Sequence, residues 1–275
     1  MKRTVVAAIA LVALILGAYA QDNEDGSQGL SAYRPIYCIA GYGSEYSYDM
    51  VKINVSLKFE PLPEHKLGFF IGYTQTMFWD FFGESGPFRE INFSPDFFWR
   101  FQSGHNFAGD LVIPGVDYVQ GGWEHRSNGQ AGTLSHGWDR VYGELMLGVG
   151  DAFYAKLGAK YFWYLDVDSF DGAFFSLRDN PDIEDYTSNF EFKFAVGFKE
   201  MPIFFIPQKL TVSAGPGGGR HAFDFLKGWQ QVDLLFGNLV GNLHLYAQLW
   251  NGYGQSVLDY NRSSFAGHVG VAIDF

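Results

Sequence analysis

The sequence predicts an all-β fold, a twelve-stranded antiparallel transmembrane β-barrel, on three observations. Long segments alternate apolar and polar residues with a period of two. Aromatic residues make up 19% of the chain and charged residues only 18%, below the ~25% usual for soluble domains. Beyond the N-terminal leader no run approaches the ~20 apolar residues that a spanning helix needs, so a membrane would have to be crossed by strands.

Met1-Lys2-Arg3-Thr4 is a basic start, residues 5–18 are a short apolar run, and Ala18-Tyr19-Ala20 fits a small-residue cleavage site. Residues 1–20 are therefore expected to be an export signal peptide, with Gln21 the first mature residue. The run is too short for a comfortable span, and the junction lacks the Leu-x-x-Cys of a lipoprotein. Residues 21–32 are polar and rich in Gly and Ser, which predicts a loose leader. No linker or long charge run interrupts residues 33–275, so they are expected to form one barrel domain.

Twelve strands are expected there, at 33–41, 50–59, 66–79, 89–102, 109–127, 139–150, 153–165, 188–200, 208–214, 229–237, 242–251 and 265–275. In the second, Val51, Ile53, Val55, Leu57 and Phe59 share one face and Lys52, Asn54, Ser56 and Lys58 the other. In the third, Phe69, Ile71, Tyr73 and Gln75 share a parity that favours the outer face. In the fifth, Val119, Gly121, Trp123, His125 and Ser127 oppose Tyr118, Gln120, Glu124 and Arg126. In the sixth, Asp139 continues the apolar row of Val141, Leu145, Leu147 and Val149, against Arg140, Tyr142 and Glu144. The seventh alternates Leu157, Tyr161 and Trp163 with Lys156 and Lys160, and the eighth Phe190, Phe192, Phe194 and Phe198 with Glu191 and Lys193. The eleventh and twelfth repeat the pattern with Leu243, Leu245 and Leu249, then Val269, Val271 and Ile273. Trp79, Trp99, Trp163 and Trp250 stand near strand ends, as an interfacial belt requires. Short connections (60–65, 103–108, 151–152, 201–207, 238–241) alternate with longer ones (42–49, 80–88, 128–138, 166–187, 215–228, 252–264), as in outer-membrane barrels with short periplasmic turns and long outer loops.

The formal net charge of −11 disfavours nucleic acid as a partner and permits divalent cations near acidic loops. A single cysteine, Cys38, excludes an intramolecular disulfide.

The chemistry-bearing stretch is Trp123-Glu124-His125-Arg126-Ser127-Asn128-Gly129, followed by Trp138-Asp139-Arg140. Residues two apart on a strand share a face, so His125 and Ser127 project together, and the parity of Asp139 puts it on the same outer side of the next strand. Polar groups on a lipid face are costly. Nucleophilic catalysis explains them: His125 takes the proton of the Ser127 hydroxyl, and Asp139 orients the imidazole and stabilises its cation. The competing explanation is a set of rim residues in the headgroup zone. Other signals are weaker. Gly215-Pro216-Gly217-Gly218-Gly219-Arg220 lacks the Lys-Ser/Thr of a phosphate cradle and reads as an outer loop. His105, His136, His221 and His268 show no metal-ligand spacing.

The run His125-x-Ser127-Asn128-Gly129, then Ser135-x-x-Trp138-Asp139-Arg140, closely resembles bacterial outer-membrane phospholipase A. The resemblance extends through Ser85-Gly86-Pro87-Phe88-Arg89-Glu90, Asp179-Asn180-Pro181-Asp182-Ile183 and Gly252-Tyr253-Gly254-Gln255-Ser256 to Asp259-Tyr260-Asn261. It implies a twelve-stranded barrel in the outer membrane of a Gram-negative bacterium. It further implies a calcium-dependent serine hydrolase that cleaves acyl esters of phospholipids and lysophospholipids in the outer leaflet and works as a reversible homodimer. Ser127 matches the family nucleophile and His125 its base. The family usually has Asn at the position of Asp139, where Asp accepts the same imidazole hydrogen bond and adds a charge that strengthens the base. By position, Ser135 would offer calcium its hydroxyl and Gln130 its carbonyl, Ser85 would offer a carbonyl from the other subunit, and Asp179 matches a further calcium-linked acid. Gly132 stands where a family member can carry a carboxylate, which leaves a second cation site open. The Gly129 amide would stabilise the oxyanion. Gln75 matches a buried polar residue of the family's dimer contact. Two other readings stay open on the sequence alone. One is a non-catalytic diffusion channel or structural pore, against which the inward Glu124, Arg126, Arg140 and Glu144 could instead form a plugging salt-bridge network. The other is a hydrolase of another outer-leaflet lipid, such as lipid A.

Overall fold

The computed structural model describes residues 29–43, 51–81, 83–165, 180, 182–187, 189–200, 205–219 and 221–273. The expected signal peptide lies outside them, as does Asp179.

Alternating sequence becomes alternating burial. Among the described residues there are thirteen strands: β1 (Leu30–Ala32), β2 (Ile36–Gly43), β3 (Val51–Phe59), β4 (Phe69–Trp79), β5 (Phe88–Gln102), β6 (Val116–Ser127), β7 (Gly137–Gly150), β8 (Phe153–Tyr164), β9 (Phe190–Phe198), β10 (Pro207–Gly217), β11 (Asp224–Val240), β12 (Leu243–Gly252) and β13 (Ser264–Ile273). Strands β2 to β13 pair antiparallel in chain order. The ring closes where β13 meets β2, from Ala266 opposite Gly43 to Ile273 opposite Ile36. It is a closed antiparallel barrel of twelve strands, as expected. Lys52, Asn54, Asp96, Gln120, Glu124, Arg140 and Lys160 line the lumen. Trp99, Leu157, Trp163, Phe194 and Val269 are exposed on the outer wall. A wall of that composition matches hydrocarbon rather than water.

Several boundaries differ from the sequence reading. The first strand is not continuous over 33–41. Leu30–Ala32, expected in the loose leader, pair with Phe59, Lys58 and Leu57 of β3 as β1, and β2 resumes the same edge with Tyr37 opposite Asn54. Between them Tyr33-Arg34-Pro35 turn into the lumen. Pro35 has no N–H to give the ladder. The inward side chains find partners there: Tyr33 Oη donates to Asp96 Oδ2 at 2.6 Å, and its ring stacks on Phe98 at 5.1 Å. The fifth expected strand, 109–127, starts only at Val116. Asn106 competes with the ladder, donating to the carbonyls of Gln102 and Leu111 at 2.9 and 2.8 Å and accepting from the amides of Ala108 and Leu111. The turn that replaces it spans 103–115, longer than the expected 103–108. Gly215–Gly217 are strand rather than loop, and Gly217 pairs with Asp224. Within the expected loop 166–187 a single turn of helix, α1 (Ile183–Tyr186), forms.

The lumen is held by a charged core. Glu124 Oε2 accepts from Lys160 Nζ at 2.7 Å, Arg140 pairs with Oε1, and Arg34 lies 3.5 Å away. Arg34 also reaches Asp96 at 3.6 Å, and Tyr142 donates to that carboxylate at 3.0 Å. Aromatic faces take up the flanks of the cations, with Arg140 4.1 Å from the Phe162 ring centre and Lys160 3.8 Å from that of Tyr142. A second network joins Lys52, Gln248, Asp233 and Tyr246. Near the end carrying the long loops, Phe98, Trp138, Tyr142, Phe162, Ile183, Val257 and Tyr260 pack into a hydrophobic cluster. Two connections thus fold inward over the mouth and rest on the walls.

Removing one member of such a buried charge group strands the others. Glu124→Ala is expected to destabilise the barrel by ~3–5 kcal/mol, more than Tyr33→Phe at ~1 kcal/mol. Urea titration of refolded protein in lipid vesicles, followed by tryptophan fluorescence, reads both, and equal midpoints for the two variants would refute the assignment.

Candidate active site

The register between β6 and β7 sets His125 opposite Asp139 and Ser127 opposite Gly137. Glu124 and Arg126 have their partners in the lumen, so the alternating residues His125 and Ser127 face outward. His125 Nδ1 lies 3.1 Å from Asp139 Oδ1. Asp139 is shielded, its side chain 3% exposed, while that of His125 is 25% exposed. The Leu165 amide donates to the Asp139 carbonyl, and Trp123 stacks against the imidazole at 6.3 Å. With Nδ1 engaged by the carboxylate, Nε2 is the nitrogen available to a substrate. Ser127 stands two residues further along the same row, a Cα spacing of ~7 Å. The Ser127 hydroxyl and the imidazole are not joined by a hydrogen bond. Catalytic contacts of this kind often tighten only once substrate is bound.

The chain leaves β6 into a small closed loop built on Asn128. Its Nδ2 donates to the Leu134 carbonyl at 2.8 Å, and its Oδ1 accepts from the Gln130 and His136 amides at 3.2 Å each. The Asn128 amide itself donates to the His136 carbonyl. Positions 130, 134 and 136 are therefore held in fixed relation, which puts the Gln130 carbonyl and the Ser135 hydroxyl on one compact unit. Gly129 is required twice over. Its φ of +64° is left-handed, and a Cβ there would sit 2.8 Å from the Phe93 ring.

Residues to which the sequence reading gave no role support this loop. Asn180 is fully buried; its Oδ1 lies 2.6 Å from His136 Nδ1, and its Nδ2 donates to the Gly137 carbonyl at 3.0 Å. Tyr260 Oη donates to Asp182. Burial, reinforced by that hydrogen bond, raises the Tyr260 phenol above its usual pKa. On the luminal side Arg126 Nη2 donates to Asn92 Oδ1 at 3.1 Å and to the Gln255 carbonyl at 3.4 Å. Glu90 Oε1 accepts from Asn92 and from the amides of Val257 and Leu258 at 2.6, 2.9 and 2.8 Å. The Asn-Gly pair at 128–129 is a turn signal. Asn180 and Glu90 carry no local signal, since their partners are 44 and 167 residues away.

The remaining expected positions are scattered. Gln75 is outward and level with Ser127, for Val55, Gln75, Phe93 and Ser127 are opposite one another across β3 to β6. Its Oε1 accepts from Tyr73 Oη at 3.0 Å. Ser85 lies in the β4–β5 connection at φ +64°, not in the 128–136 loop that holds Gln130 and Ser135. Among the described residues no group of three or more His, Cys, Asp or Glu is placed to hold a metal. A cation at the 128–136 loop would rest there on neutral oxygens, a donor type that calcium accepts.

Known proteins share this fold. The family model described as Phospholipase A1 matches residues 19–275. The chain is 30% identical over 234 residues to a phospholipase A1 of Salmonella typhimurium, covering 82% of this chain and 70% of that protein. It is 27% identical over 264 residues to the phospholipase A1 of Escherichia coli, covering 93% and 78%. Among solved structures, outer membrane phospholipase A from Escherichia coli superposes with a TM-score of 0.68 at 26% identity, over 89% of this chain and 98% of that one. The Salmonella typhi outer membrane phospholipase dimer with bound calcium gives 0.68 at 25% identity, over 89% and 92%. The chain thus belongs to the phospholipase A1 family of outer-membrane β-barrels, and is a phospholipase A1 by that membership.

Proposed function

We propose that this barrel hydrolyses acyl esters of phospholipids and lysophospholipids in the outer leaflet, with Ser127 as nucleophile, His125 as base and Asp139 orienting the imidazole. The observation that carries the reading is the 3.1 Å His125–Asp139 pair on the lipid-facing side, in one row with Ser127. Ser127 Oγ attacks the ester carbonyl while its proton passes to His125 Nε2. Asp139 holds Nδ1 and stabilises the imidazolium. The Gly129 amide faces the developing oxyanion. The imidazolium then protonates the departing lysophospholipid alcohol, and water repeats the sequence to release the fatty acid.

The residues present fit calcium. Gln130 and Ser135 would offer a carbonyl and a hydroxyl from one loop, and Ser85 of the partner subunit a further carbonyl; the family resemblance adds Asp179 as an acid. Bound there, calcium would polarise the ester oxygen. The Salmonella typhi relative is a dimer with bound calcium, and a reversible homodimer through Gln75 fits this chain, because Gln75 lies on the outer face two strands from the nucleophile. The ion pairs that cross the lumen weigh against a conducting pore. The loops at 128–136 and 253–263 then face the exterior of the cell.

Ser127→Ala is expected to lower kcat by ~10⁴-fold or more while the barrel stays folded. Detergent-solubilised protein assayed on phospholipid with and without calcium tests this, and unchanged turnover would remove the nucleophile. Asp139→Asn, which keeps an acceptor for Nδ1–H, should cost no more than about tenfold, whereas Asp139→Ala should cost ~10²-fold or more. Gly129→Ala combines strain with the Phe93 clash and should lower kcat by ~10²-fold, read as kcat against KM. Chelation of calcium should abolish turnover and added calcium restore it; full activity in chelator would exclude the ion.

A further inference from the structure

The loop end carries two exposed guanidinium groups among its described residues, Arg89 and Arg262, and they are built into one unit. Arg89 Nη2 lies 3.2 Å from Asp259 Oδ2, and Arg262 Nη1 lies 3.2 Å from Asp259 Oδ1. The carboxylate between them is 11% exposed, and the two arginines are 45% and 52% exposed. Asp259 is itself tied down. Its amide donates to Ser256 Oγ at 3.1 Å, and the amides of the two residues before it donate to the buried Glu90. The β12–β13 connection is thereby carried across the barrel mouth to the start of β5.

That place has a definite relation to the nucleophile. Phe93 of β5 is opposite Ser127. Arg89 is four residues nearer the loop end on the same strand, at the register break beside Glu90, hence ~13 Å further out along the strand. In a leaflet whose acyl chains run toward the bilayer centre, the phosphate of a glycerophospholipid lies on the outer side of its esters. The surroundings are otherwise acidic, with Asp80, Glu84, Asp182, Glu184 and Asp185 on the same end of a chain of net charge −11. Two guanidinium groups share the one carboxylate of Asp259 at the rim. Planar forks of this kind suit a phosphodiester.

We propose that Arg89 and Arg262, held by Asp259, form the seat for the phosphodiester of the substrate headgroup, a specificity-determining site for the hydrolysis proposed above and resting on that reading. The seat places the ester at Ser127 by anchoring the lipid at its charged end. It favours phospholipid over neutral glyceride.

The test compares kcat/KM in mixed micelles for phosphatidylglycerol and for a diacylglycerol with the same acyl chains. In Arg262→Gln the phospholipid-to-diacylglycerol ratio should fall about tenfold, chiefly through KM, as loss of uniform binding does. Arg262→Lys should recover part of it, since the charge returns without the fork. Lys227→Gln, which removes another exposed cation of the same end, should leave the ratio alone. Equal losses on both substrates, or no change in the ratio, would overturn the seat. Inhibition of diacylglycerol hydrolysis by free dimethyl phosphate would assign the pair to a soluble anion instead, and would also overturn it. Covalent labelling of Ser127 by a sulfonyl fluoride, measured in every variant, separates the two readings: persistent labelling with an unchanged ratio sinks the headgroup seat alone, and absent labelling in the unaltered protein sinks the catalytic one.

Discussion

Backbone hydrogen bonding in a medium without water is the constraint on which this structure depends. Each N–H and C=O at membrane depth needs a partner from the protein. A strand ladder supplies them only if it closes on itself, and here β13 returns to β2 over eight paired positions. Closure fixes which residues stand opposite one another. It is the register of β6 on β7, not the nearness of His125 and Asp139 in the chain, that puts a carboxylate against the imidazole.

A closed barrel still has to fill its inside. The lumen is occupied by ions in contact with counter-ions and aromatic faces, and the break in the first strand serves that core. Tyr33 and Arg34 leave the wall to meet Asp96 and Glu124. Buried charges of this sort give little net stability when fully paired, and their removal one at a time is costly. The arrangement leaves the outer wall apolar and the site on that wall exposed to lipid. At the loop end polar side chains play the same part toward the backbone: Asn128, Asn180 and Glu90 satisfy backbone groups of connections that fold inward. Those bonds hold Gly129 and the 128–136 loop against the strands that carry Ser127 and His125. The outward row of the proposed site is thus positioned by polar packing behind it.

Much of this was legible in the residues. Alternation by two marked the strands, because side chains of a strand point alternately to two faces and the two faces meet different solvents. Parity alone put His125, Ser127 and Asp139 on the outer face. Strand ends were less legible where a side chain competed with the ladder, as Asn106 does in shortening β6 and as Pro35 does in splitting the first strand. Glu90 and Asn180 stood in the stretches that carry the family resemblance, but their part in the loop scaffold was not legible, because their partners are distant in sequence.

By itself, the sequence determined the fold class, the outward row and the chemical types at hand, since periodicity and composition are local properties. Tertiary structure alone decided that Nδ1 of His125 meets a shielded carboxylate, that Ser127 remains unlinked to the ring, and that Arg262 joins Arg89 at the rim. Those are distances between groups that the chain brings together only on closing, and no spacing of letters encodes a distance across a barrel mouth.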